Sequence, residues 1–85
     1  MTYKIEFTKK ANKQFQSLPP HVKKRISPKI ENLAQNPRPQ GVVKLSGEDD
    51  AYRIRVGDYR VVYNIEDDIL QVLVFRVDHR RDVYR

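Results

Sequence analysis

At 85 residues the chain has room for one domain, residues 1–85, with a modest core, which excludes a multidomain enzyme. It has no cysteine, so neither a disulfide framework nor a thiolate metal site is available. Its 17 basic residues against 11 acidic ones give a net charge of +6, which favours a polyanionic partner, usually nucleic acid.

The start, "MTYKIEFTKK", lacks the apolar core of a signal peptide. No stretch approaches the roughly 18 apolar residues of a membrane span, so the expected setting is the cytoplasm, with no membrane. Within residues 2–7, "TYKIEF" alternates and puts Tyr3, Ile5 and Phe7 on one face, which predicts a half-buried strand. Thr8 is placed to cap a helix over "KKANKQFQSL", where Ala11, Phe15 and Leu18 share one face and Pro19-Pro20 ends the run. Val22, Ile26, Ile30 and Leu33 predict a second helix that Asn36-Pro37 closes. Pro28 lies inside it and predicts a kink or short break. The two helices joined by "LPP" read as a helical hairpin.

The turn-rich stretch 37–50 has space for a short strand at Val42–Leu45. "AYRIRVG" puts Tyr52, Ile54 and Val56 on one face and Arg53 and Arg55 on the other. "DYRVVYNI" groups Tyr59, Val61, Tyr63 and Ile65, leaving Arg60 on the opposite side with Val62 and Asn64. Gly57-Asp58 fits a two-residue hairpin turn with glycine first. "EDD" makes the next turn, its acids typical of a solvated loop, and "ILQVLVFRV" is apolar on both faces, as in a central strand. The class is α+β: an N-terminal strand, a helical hairpin, then an antiparallel β-meander, with the helices on a single sheet.

Charge is segregated along this order. Every lysine lies within residues 1–47, whose only acids are Glu6 and Glu31, whereas residues 48–85 carry seven arginines and no lysine. Lys9, Lys10, Lys13, Lys23, Lys24 and Lys29 fall on helix faces away from the apolar stripes, and with Lys44 they form a candidate docking surface for nucleic acid. A hairpin turning at 57–58 pairs Arg55 with Arg60, and Arg53 projects from the same face. Like charges opposite one another on a sheet are destabilising. A shared anion removes the conflict, and phosphate matches the guanidinium fork. The plain alternative is a set of solvated arginines paired with Glu48, Asp49 or Asp50. The ending "DHRRDVYR" adds His79, Arg80, Arg81 and Tyr84, and the tail is expected to return toward the arginine face. His21 and His79 share no ligand spacing, so no metal and no cofactor is expected.

"KLSG…YRIRVGDYRVVYNI…VFRVDHRRDVYR" resembles the RelE/ParE toxin superfamily over nearly the whole chain, and its close resembles the RelE branch. That resemblance implies a toxin of a type II toxin–antitoxin system. Such toxins enter the ribosomal A site and cut mRNA without metal. The ribose 2′-hydroxyl attacks the adjacent phosphate and leaves a 2′,3′-cyclic phosphate. A cognate antitoxin neutralises the toxin, here expected in an apolar groove near the helices, and the other partner is the ribosome with its mRNA. By resemblance Arg60 stabilises the phosphate, Arg80 sits near the leaving group, and Tyr84 stacks on a base or moves a proton. Some RelE toxins carry lysines where this chain has Arg53 and Arg55; arginine does not give up its proton, so these two are phosphate ligands rather than bases. His79, which titrates near neutrality, is the first choice for the base and Tyr84 the second. The alternatives are a ParE-like inhibitor of DNA gyrase on the same fold, and a non-catalytic nucleic-acid-binding module.

Overall fold

The N-terminal strand forms as β1 (Lys4–Phe7), and Thr8 caps α1 (Lys9–Gln16) by accepting a 3.1 Å hydrogen bond from the Ala11 N–H. The computed structural model describes residues 2–45 and 51–79. Helix α1 ends at Ser17, and α2 (Pro20–Asn32) opens with Pro20 in its first turn, where the missing N–H costs nothing. The expected break at Pro28 does not occur, and α2 runs through it. Pro28 and Lys24, whose carbonyl loses its usual donor, are both exposed, so water can satisfy that carbonyl. The helices pack on the sheet more than on each other, α1 over the last strand and α2 over the first long hairpin.

Four more strands follow: β2 (Val43–Lys44), β3 (Ala51–Val56), β4 (Tyr59–Glu66) and β5 (Gln71–His79), with a 3-10 turn at Asp67–Ile69. The sheet order is β1-β5-β4-β3-β2. All neighbours are antiparallel except β1, which runs parallel to β5. The meander is antiparallel as expected, and the pairing of the N-terminal strand, which the sequence left open, is parallel because the two helices form a crossover that lets the first and last strands run the same way. Strand β5 also extends to His79, two residues past the apolar run read as its end.

One face of the sheet carries Ile54, Val56, Val61, Tyr63, Ile65, Val72, Val74 and Val77, all buried beneath Ala11, Val22, Ile26, Ile30 and Leu33 of the helical layer. Strand β5 keeps its register by a bulge. Val62 pairs with Arg76 and Tyr63 with Val74, so Phe75 is the extra residue. Without it, Val74 would turn to the open face. The hairpin turn is as expected: Gly57 has φ +62°, and of its two residues only glycine is left-handed.

At the far end of the sheet Asp67 is exposed in its turn, as expected of these acids, yet it is also tied to two other segments. Arg38 donates to both of its oxygens, at 2.9 and 3.3 Å, and the Tyr3 hydroxyl donates to it at 2.6 Å. Arg38 also donates to the Tyr52 hydroxyl at 3.3 Å and lies 5.3 Å from that ring's centre. The Tyr63 hydroxyl donates to the Pro37 carbonyl at 2.7 Å. Together these bonds hold the segment after α2 against the sheet.

The same groups make stability depend on pH. Hydrogen bonds from Arg38 and Tyr3 hold the Asp67 carboxyl below its ordinary range. A depressed folded value contributes stability above about pH 4 that is lost as pH falls further. Burial pushes the Tyr63 hydroxyl well above its ordinary value. Its contribution is therefore complete below about pH 10 and lost as pH rises through the folded value. Tyr63→Phe leaves the buried Pro37 carbonyl without its donor and is expected to cost about 1–2 kcal/mol at pH 7. It should also reduce the loss of stability above pH 10. Urea titrations at both pH values check this, and an unchanged alkaline loss would assign that limb to other groups.

Candidate active site

Strand register, not chain proximity, assembles the site. Arg55 lies directly opposite Arg60, and Arg53 is opposite Val62 on the same face. Directly opposed residues have Cβ atoms about 5 Å apart. The sequence did not single out Arg76 and Asp78, which complete the face: Asp78 is opposite Arg60 and Arg76 is opposite Val62. The signal was present, since two charges two residues apart near the end of an apolar strand share one face. Four guanidinium groups thus face one carboxylate.

Arg60 is the buried charged residue here, only 8% exposed. Burying a guanidinium is costly unless anionic or hydrogen-bonding partners surround it. Asp78 is a neighbour, but it is shared: its Oδ2 lies 3.8 Å from Arg76 Nε. Arg53 Nε is buried with no hydrogen-bond partner among the described residues. Leu45, Arg53, Arg60, Val62, Arg76 and Asp78 line a depression of about 160 Å³. A depression of that size accommodates a phosphate group and is smaller than a whole nucleoside. Its surplus of fork-shaped donors suits an anion whose charge grows during reaction.

His79 is not on this face. It pairs with Tyr59 across the strands, and the two rings meet edge to face with centroids 4.9 Å apart. Tyr59 packs against the core, so His79 projects to the helix side, contrary to the expected return toward the arginines. One residue step along β5 turns a side chain to the other face, and the expectation followed the chain without that alternation. Arg80, Arg81 and Tyr84, and the alternative partners Glu48, Asp49 and Asp50, lie outside the described residues.

The lysines are separated from the arginines by the sheet. Lys9, Lys10, Lys13, Lys24 and Lys29 are exposed on the helices, and Lys23 is half-buried, donating to the Gln16 carbonyl at 3.3 Å. Lys44 is exposed on the β2 edge opposite Tyr52, so it does not share the arginine face. Basic groups meet at two rims. Lys29 and Arg55 flank a recess of about 350 Å³, and Lys10 and Lys13 flank another with His79.

Known proteins share this framework. The family described as ParE toxin of type II toxin–antitoxin system, parDE, matches residues 5–84. Toxin RelG of Mycobacterium tuberculosis is 32% identical over 100% of this chain and 99% of its own length. The mRNA interferase toxin RelE of Escherichia coli K12 is 30% identical, over 94% of this chain and 85% of its own. The crystal structure of the archaeal RelE–RelB complex from Pyrococcus horikoshii superposes with a TM-score of 0.82 at 33% identity, covering 94% of this chain and 97% of that one.

Proposed function

Because the chain belongs to the ParE/RelE toxin family of type II toxin–antitoxin systems, we propose that it is a ribosome-dependent endoribonuclease that cuts mRNA in the A site. The observation that carries this is the arginine face, where a buried Arg60 opposes Arg55 beside Arg53 and Arg76. The scissile phosphate sits among these groups. Its negative charge rises as the 2′-oxygen attacks, and preorganised guanidinium donors oppose that charge more strongly in the transition state than in the ground state. The arginines supply the positive charge that a metal ion would otherwise bring, so the reaction proceeds without metal. They cannot accept the 2′-hydroxyl proton at neutral pH. His79 faces the helix side, so that role passes to Tyr84, with Arg80 near the leaving oxygen.

The cognate antitoxin is the second partner. The Pyrococcus relative was solved with RelB. In this chain Ile5, Phe7, Phe15, Ser27, Ile30 and Glu31 line an apolar recess of about 280 Å³ between β1 and the helices, which suits the apolar side of an amphipathic segment. The exposed helix lysines guide docking to ribosomal RNA in the cytoplasm.

The ParE name of the matching family favours a second reading, inhibition of DNA gyrase on the same fold. Ribosomes programmed with a defined mRNA in magnesium buffer, incubated with the purified protein, separate the two. The expected result is cuts within the A-site codon with 2′,3′-cyclic phosphate ends. Intact mRNA together with inhibited gyrase supercoiling would replace the first reading with the second.

A further inference from the structure

We propose that the recess between α1 and the end of β5 is a second RNA subsite, holding the nucleotide next to the pair joined by the scissile phosphate. This rests on the arginine face being the cutting site. The recess is about 540 Å³, within the roughly 300–1,000 Å³ of small-molecule sites, and is large enough for a base and its ribose, which the 160 Å³ arginine depression is not. Its lining has the chemistry of single-stranded RNA binding. Tyr59 and His79, both half-buried, supply flat rings, and exposed Lys10 and Lys13 stand at its rim on α1. Asp78 is the sole acid among the lining residues.

The local fold explains why the recess exists. Strand β1 pairs with β5 over Gln71–Val74, so among the described residues the rest of β5 has no strand on that side. Gln14 takes the place of a strand there, its Oε1 accepting from the Val77 N–H at 2.9 Å. The side chain of one helix residue covers less of the edge than a strand would, and the recess is what remains.

Continuity with the cutting site comes from the register. Arg60–Asp78 and Tyr59–His79 are consecutive pairs, one residue step or about 3.3 Å apart along the strands, on opposite faces. Asp78 lines both depressions. A strand of RNA whose phosphate lies among the arginines reaches the second recess by crossing the end of the sheet. Stacking tolerates any base, so this subsite adds affinity and positioning with little codon preference.

The test uses short 2′-O-methyl RNA, which cannot be cut, labelled with fluorescein and titrated with the free protein by anisotropy. A trinucleotide is expected to bind about 10-fold more tightly than a dinucleotide. Tyr59→Leu, which keeps an apolar side chain, and the double variant Lys10→Gln/Lys13→Gln should each remove that difference. The double variant changes only exposed side chains, so it stays folded. Lys4→Gln/Arg25→Gln, which removes the same charge at exposed positions outside both the recess and the docking lysines, should preserve it. Equal binding of the two RNAs, or an equal loss in both double variants, overturns the subsite. If the trinucleotide advantage and its dependence on Tyr59 hold but ribosome-bound mRNA stays intact, the subsite stands and the cleavage reading falls.

Discussion

Arg60→Met is expected to lower single-turnover cleavage of ribosome-bound mRNA by about 10²–10³-fold, the usual loss when one transition-state donor is removed. Methionine fills similar space, so no large cavity forms. The change removes the like-charge opposition to Arg55, but it also takes a cation from beside the half-buried Asp78. The variant should stay folded at the assay temperature, and a melting curve, which moves by about 4–8 °C per kcal/mol in a domain of this size, checks it. Arg60→Lys should also cut poorly, since it keeps the charge but loses the fork. Lost stability in parallel with lost activity would make Arg60 a structural partner of Asp78. Full-rate cutting by Arg60→Met would remove the arginine face from the mechanism.

The opposition of Arg55 and Arg60 was legible in the sequence because both its ingredients are local. The alternation of "YRIRV" and "DYRVV" assigns faces, and a two-residue turn at Gly57-Asp58 fixes the register. Thr8 as cap and the stripe from Val22 to Leu33 are local in the same sense. What escaped depends on distant parts of the chain. The parallel pairing of β1 with β5 joins residues 67 apart in sequence. The Arg38–Asp67 pair joins two turn segments 29 residues apart in sequence, neither with a pattern that points to the other. In β5 the bulge at Phe75 breaks period two, so Val72 and Val74 are followed by Val77, and the strand read as apolar on both faces. That slip also obscured which face Arg76 and Asp78 share, whereas His79 was expected among the arginines because the single-residue alternation after Asp78 was not applied.

Truncation after His79, removing Arg80 to Arg85, is expected to lower cleavage by at least about 10²-fold while leaving the sheet intact. The cut falls beyond the last strand pair, Tyr59 with His79. The fold therefore loses no ladder bond of the described strands, and the melting temperature should change little. The chemistry loses more. Attack by the 2′-oxygen requires a proton acceptor and a donor to the leaving oxygen, and such assistance contributes about 10²–10⁴-fold. The described face offers arginines, which stay protonated, and one carboxylate, Asp78, which lies opposite Arg60 among the phosphate ligands. The tail carries the tyrosine that the mechanism needs. Tyr84→Phe should accordingly reproduce most of the loss at saturating ribosome. His79→Ala should instead raise the ribosome or mRNA concentration required and spare the rate at saturation, because His79 stacks against Tyr59 on the other side of the sheet. Single-turnover rates measured across pH 6–9 distinguish the two. If His79→Ala abolishes an inflection near neutral pH and slows the saturated rate as much as the truncation does, the histidine is the base after all, and the end of β5 must turn over when mRNA binds.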